Sequence, residues 1–450
     1  MQLRSATFLA VLMLAVGGLA ERSQPAPAAT ISGTPIQHIV VLYMENHSFN
    51  DVLGKLCVVD QRCFGTTEGD LHDGSSIPLA TPTDRVPEIG HGTGQTKKAI
   101  NGDPMNGFDT VTHCTEADGY PCYVQYDPKQ IPNLAALARS FVISDMTFNS
   151  SAYSSWVSHI ALVSATTDGF QGNIPKISQF HDRGPGWGCD SYMDAAWRPQ
   201  PTGDFILVPS CIPDRNGFGP YRASPVPWVP TIMDRMDKAG RSWRIDGGEG
   251  TLDTSVGTGY AWSTCPAFAD CFYTSQLNRF RPWSAILTQA QNGRLPQLAL
   301  VIPTYKSSQH NNTSMLMGDN WIGTIVQAIM DGPQWNSTAI MITYDDCGCF
   351  YDPVPPPKGD GIRSPMVIVR PYAKPGFTDS NVASTDSILA FIEHTFGIPA
   401  LGTGDADAYD YSGSFDYTQA PLPPMALTHT TIPARERRRL RRQPVHESIT

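Results

Sequence analysis

The chain has 450 residues, of which 41% are hydrophobic and 16% charged, an ordinary globular balance with room for a sizeable core that excludes global disorder. Lys and Arg number 32 against 42 Asp and Glu, and the resulting charge of −10 argues against a nucleic-acid binder. With 39 Gly and 38 Pro the connections must be long, and beyond the N-terminus no apolar run is long enough to span a bilayer.

The N-terminus carries Arg4, then Ser5 to Ala20 without a charge, then Glu21-Arg22. A basic residue, an apolar stretch and small residues make a secretory signal, cleaved after Ala20 or nearer Ala29. Residues 1–29 are therefore read as signal peptide and linker, and the protein as secreted. The next element, Ile36–Met44 (IQHIVVLYM), is β-branched and almost wholly apolar, as in a strand buried on both faces. His38 falls inside it and reads as structural. A helical stretch from Pro132 to Arg139 leads to a short strand, Phe141–Ser144. Trp156–Thr166 reads as a helix, and Pro230–Ala239 is a helix stopped by Gly240. Leu298–Ile302, Ala339–Tyr344 and Met366–Val369 are further buried strands. Asp319–Asp331 has apolar residues at helical spacing, and Ser384–Phe396 opens on Ser-Thr-Asp and ends at Gly397.

Buried strands alternating with amphipathic helices predict an α/β fold, a three-layer sandwich with a mostly parallel central sheet, over 30–424. Residues 186–297 are rich in Trp, Pro and Cys and less periodic, which reads as a long loop-rich insertion or cap rather than a second domain. Residues 425–450 form a basic tail, with six Arg and one Glu between Arg435 and Arg442. Such a run is expected to be solvated and disordered; the sharper alternative is peripheral contact with an anionic surface.

The ten cysteines all follow the leader, and an even count beside an export signal suggests disulfides. Their spacing suggests local pairs: Cys57–Cys63, Cys114–Cys122, Cys189–Cys211 and Cys265–Cys271. Cys347-Gly348-Cys349 stands apart, because a bridge across one residue is strained.

In an open α/β sheet, ligands bind beyond the carboxyl ends of the strands. The first strand runs into Glu45-Asn46 and a late one into Asp345-Asp346. Together they form a hard oxygen set for a divalent cation, although each alone also suits a solvated turn or helix cap. Ser155, with Ser154 next, opens the predicted helix, where free N–H groups favour phosphate and a deprotonating alcohol. The bland alternative is an ordinary Ser N-cap. His159 lies one turn further on, facing the same ligand or simply packed. His91 in IGHGTG and His310 in the polar loop 307–313 lie near predicted strand ends, where a histidine can meet phosphate or act as a general acid.

The segments IQHIVVLYMENHSFNDVLG (36–54), NGDPMNGFD (101–109), YDPKQIPNLAALARSFVISDMTF (126–148), TYDDCGCFYDPVPPP (343–357), GIRSPMVIVRPYAKPGF (361–377) and DSILAFIEHTFGIPAL (386–401) resemble, in order, the bacterial phosphoesterase family of secreted phospholipases C and acid phosphatases. That family sits within the alkaline-phosphatase-like superfamily. The resemblance implies metal ligands at Glu45, Asn46, Asp345 and Asp346, with Ser155 as nucleophile approaching the same metal, and His91 and His310 on phosphate. It implies a metal-dependent phosphoric ester hydrolase with a phosphoseryl intermediate. An acid-phosphatase-like phosphomonoesterase is the first expectation and a phospholipase C-type phosphodiesterase, releasing a phosphorylated lipid headgroup, the alternative. Trp156-Val157-Ser158 stands where many relatives have Pro-Asn after the nucleophile. Cys349 and Pro353 stand where many have Gly and His, which bears on the leaving group more than on the reaction.

Overall fold

A computed structural model describes residues 34–177, 184, 186–200, 202–248, 260–402 and 404–442. The expected leader therefore lies outside the described residues, as do 443–450 of the tail. The main sheet contains β1 (His38–Met44), β2 (Val142–Ser144), β3 (Trp243–Gly247), β4 (Phe280–Arg281), β5 (Leu298–Ile302), β6 (Thr338–Tyr344), β7 (Met366–Val369) and β8 (Thr378–Asp379). Its order is β4-β3-β5-β1-β6-β7-β2-β8. All neighbours run parallel except at β7, which is antiparallel to both β6 and β2. The apolar run of β1 is explained by its place: it lies between β5 and β6, and all seven of its residues are buried. The fold is mixed α/β around a mostly parallel central sheet.

Helices α1 (Thr93–Ile100), α2 (Pro132–Ser140), α3 (Ser155–Ser164), α4 (Ile232–Lys238), α5 (Ala285–Gln291), α6 (Met315–Met330), α7 (Asp386–Phe396) and α8 (Ala434–Arg442) accompany the sheet. Helices α2 and α5 pack on α6, while α4 and α7 pack on α3. The two groups cover opposite faces. Tyr43 of β1 points to α3, its hydroxyl donating to the Ser158 carbonyl at 3.3 Å. Tyr344, paired with Met44 and so on the other face, donates to Gln309 in the loop ahead of α6. Among the described residues no helix is long and apolar enough to cross a membrane.

Two expectations change. The stretch 186–297 behaves as an insertion only in its first part, where Met193–Trp197 and Ile206–Pro209 pair antiparallel in a small separate sheet with Lys176–Ile177. From Ile232 onward it rejoins the main fold and supplies β3 and β4 to the central sheet. The sequence of β3, WRIDG, hides this because Arg244 and Asp246 interrupt its apolar character. The basic tail also differs from the expected disorder over its first part. Asn133 and Asn320 each both donate to and accept from the backbone, at Thr428 and Thr430, at 2.8 Å. They tie the irregular segment ahead of α8 to the body, and α8 itself is helical with its Arg side chains largely exposed. The four locally spaced disulfides all form, Cys57–Cys63, Cys114–Cys122, Cys189–Cys211 and Cys265–Cys271, and they fit an oxidising compartment. Cys347 and Cys349 are free and buried.

Candidate active site

The parallel register places Met44 beside Tyr344, so the residues that leave β1 and β6 emerge side by side at the carboxyl edge. The Asp345 N–H donates to the Met44 carbonyl at 3.1 Å, and the Asn46 N–H to Asp345 Oδ1 at 2.9 Å. The loop after β5 closes a third side, its Ser308 carbonyl accepting from the Glu45 N–H at 3.0 Å. Asn46 holds φ at +57°, an uncommon conformation for a non-glycine residue that turns its side chain back over the sheet edge.

Helix α3 brings Ser155 to the same point. Ser155 is its first helical residue, and Ser154 occupies the cap position with its hydroxyl donating to Gly172 instead. No side chain caps the helix, so neither serine is the ordinary N-cap that composition allowed. The open, positive end of α3 faces the carboxylates. Ser155 Oγ lies 3.2 Å from Glu45 Oε2, 3.2 Å from Asp346 Oδ2 and 3.4 Å from the Asn46 amide oxygen. His159, one turn on, faces the site as well: its Nε2 is 2.8 Å from Glu45 Oε1 and 3.9 Å from Asp345 Oδ2. Glu45, His159 and Asp345 present ligand atoms within 4.8 Å of one another, a group close enough to hold a metal. All the residues expected at the metal, Glu45, Asn46, Ser155, Asp345 and Asp346, converge here and are buried.

The two expected phosphate histidines also converge, with ring centres 5.3 Å apart. His91 gives its Nδ1 proton to the Ile89 carbonyl at 2.8 Å, and His310 gives its own to the Asn311 carbonyl at 3.0 Å. Burial pushes His91 below the usual imidazole range and, with His91 alongside, drives His310 down to about 3, so both rings are neutral. Each Nε2 then carries a lone pair, and both face the same end of the Asn46 amide, at 3.0 and 2.8 Å. That end must be the NH₂, which directs the amide oxygen toward Ser155 and the carboxylates.

This arrangement fits a cation. The Asn46 oxygen faces only acceptors, Asp345 Oδ2 has no hydrogen-bond partner, and among the described residues no Lys or Arg pairs with these carboxylates. Burial and the charge of Asp345 push the Glu45 and Asp346 carboxyls well above the usual range, as expected of acids held together without a counter-charge. An all-oxygen set of three carboxylates, an amide and a hydroxyl suits a hard divalent ion.

Sequence reasoning missed several supporting groups. Asn311 Oδ1 lies 3.4 Å from the Asn46 NH₂, and Asn149 donates to the Asp345 carbonyl at 2.8 Å. Trp262 stacks on His310 with ring centres 5.9 Å apart. Asn311 had the polar loop as its signal; Trp262 and Asn149 had none.

The phosphoesterase family profile matches residues 36–399. Phospholipase C B of Mycobacterium tuberculosis is 22% identical, over 93% of this chain and 85% of that protein. The non-hemolytic phospholipase C of Burkholderia pseudomallei is 24% identical, over 82% of this chain and 57% of that one. Among solved structures, a protein in the alkaline phosphatase superfamily from Vibrio parahaemolyticus aligns with a TM-score of 0.37 at 11% identity, over 84% of this chain and 71% of that chain. With the profile spanning every strand of the main sheet and both acidic strand ends, the chain belongs to the phosphoesterase family, as a hydrolase of phosphoric esters.

Proposed function

We propose that the protein is an exported, acid-phosphatase-like phosphomonoesterase that uses a divalent cation and forms a phosphoseryl intermediate on Ser155. The observation that supports this best is the meeting of Glu45, Asn46, Ser155, Asp345 and Asp346 oxygens at the open end of α3. These oxygens would hold a divalent cation, which would supply positive charge to a phosphoryl oxygen and acidify the nearby hydroxyl. Ser155 Oγ attacks phosphorus in line, and its proton has Glu45 Oε2 and Asp346 Oδ2 within reach, each at 3.2 Å. The backbone N–H groups opening α3 receive charge on the phosphoryl oxygens. His159 fixes Glu45 through its other oxygen. With a lone pair on each Nε2, His310 and His91 orient Asn46 rather than supply a proton; the leaving alcohol takes its proton from solvent, and water then releases phosphate from Ser155.

A second reading, a phospholipase C-type phosphodiesterase, is favoured by the names of the relatives and by exposed Ile206, Leu207 and Phe218 on the insertion, side chains suited to a lipid surface. The Arg-rich α8 adds a basic element for anionic surfaces. Export is supported by the leader pattern and the four disulfides. A panel of simple phosphomonoesters against phosphatidylcholine vesicles, with and without chelator, tests both. Chelator-sensitive turnover of the monoesters is expected; turnover confined to the vesicles, with release of phosphocholine, would install the second reading.

A further inference from the structure

We infer that Cys347 and Cys349 are a redox-active dithiol whose closure into a bridge alters the cation site through Gly348. The two sulfurs lie 2.8 Å apart, longer than a disulfide bond of about 2.05 Å but within easy reach of one. They are the cysteines left over after the four local bridges form. Gly348 and Cys349 both hold positive φ, +48° and +51°, which curls the chain so that the two side chains point the same way. For a non-glycine residue that conformation is uncommon and persists only where the surroundings enforce it. Apart from each other, the polar neighbour of both sulfurs is Thr96 Oγ1 of α1, at 3.7 and 3.6 Å.

The connecting glycine touches both halves of the ligand set. Its N–H donates to Asp346 Oδ1 at 2.8 Å, holding that carboxylate while the other oxygen faces Ser155. A Cβ at position 348 would lie 2.2 Å from the Asn46 carbonyl oxygen, so the peptide is seated directly on the other ligand loop. Drawing the sulfurs together turns the Gly348 peptide, and the Asp346 hydrogen bond is the contact that gives way. The coupling to the cation rests on the reading of the site under Proposed function; the bridge itself does not.

The chemistry is thiol–disulfide exchange with a low-molecular-weight disulfide such as oxidised glutathione. One protein thiolate attacks the external disulfide, releasing one small thiol and forming a mixed disulfide. The second protein thiolate attacks that sulfur, forming the Cys347–Cys349 bond and releasing the second small thiol. Two electrons and two protons leave the protein and end on the two small thiols. Both sulfurs are buried, so exchange needs the loop to open or takes place as the chain folds.

The test uses the full chain equilibrated in glutathione buffers from reducing to oxidising, acid-quenched, alkylated under denaturing conditions and read by peptide mass spectrometry. The inference expects Cys347 and Cys349 to lose alkylation together as the buffer becomes oxidising, while the other eight cysteines stay protected throughout. Mn²⁺ titrated calorimetrically should bind about tenfold more weakly to the bridged form, the worth of one charge-assisted hydrogen bond. The Cys347→Ser/Cys349→Ser double variant should bind Mn²⁺ equally in every buffer. Alkylation of both thiols across the whole range, or glutathione retained on one of them, would overturn the bridge. Equal Mn²⁺ affinity in the two wild-type states would overturn the coupling. Absence of Mn²⁺ binding in either state would defeat the cation reading and the coupling with it, and alkylation would still decide the bridge.

Discussion

The hydroxyl of Ser155 has one proton and three acceptors around it at 3.2–3.4 Å, more than that proton can serve while the carboxyls are ionised. Adding a positive charge resolves it, and that is why the donor set reads as a cation site rather than as a polar core. Ser155→Ala removes the proposed nucleophile and little volume, so turnover should fall by at least about 10³-fold while the circular dichroism spectrum is unchanged. Activity within a few-fold of wild type would move the nucleophile elsewhere. Asp345→Asn removes a carboxylate that also anchors the Asn46 backbone. Metal analysis after dialysis should show the cation lost from that variant and retained by wild type.

At the scale of elements, the site exists because β1 and β6 are parallel neighbours in register and α3 points its open end at their exits. Much of this was legible. Leu298–Ile302 and Met366–Val369 have the same bounds in sequence and structure, because short apolar runs between polar turns leave little choice. The direction of β7 was not legible, since four apolar residues look alike either way round. Helix α6 starts at Met315 rather than Asp319 because Ser314 caps it, accepting from the Met317 N–H at 3.0 Å. Gly318, which hid that first turn from the periodicity, is there to let Gln309 pack against the helix; a Cβ would lie 2.2 Å from its side chain. The histidines' grip on Asn46 could not be read from spacing, because it depends on three loops meeting. The clamp on the C-terminal segment was equally hidden. Asn320→Ala deletes both of its bonds to Thr430 and should cost about 1–3 kcal/mol in a urea titration. It should also speed proteolytic cleavage between α8 and the body; unchanged stability and cleavage would mean the segment is not held there.

Across the whole molecule, buried acids tie stability to pH. Glu393 on α7 is the clearest outside the site: burial, and then a hydrogen bond and the charge of Asp405, push it up to about 10. An unfolded glutamate titrates at about 4.3. Between those values the folded chain keeps a proton that the unfolded chain has lost, so this group's contribution to stability declines as pH rises through the window. Glu393→Gln stays neutral and should lose that decline. Urea midpoints at pH 5 and pH 8.5 should therefore fall less in the variant than in wild type, and equal falls would contradict the assignment. The same low-dielectric interior that raises Glu393 makes the cluster of Glu45, Asp345 and Asp346 costly without a counter-ion, so chelation should lower thermal stability as well as activity.

The most direct measurement is acid-quenched mass spectrometry of the protein during turnover of a simple phosphomonoester in the presence of a divalent cation. The arrangement at the end of α3 predicts phosphate covalently attached to Ser155 and to no other residue, and none after chelation. Steady turnover with no covalent phosphate, or with phosphate on a different side chain, would contradict it.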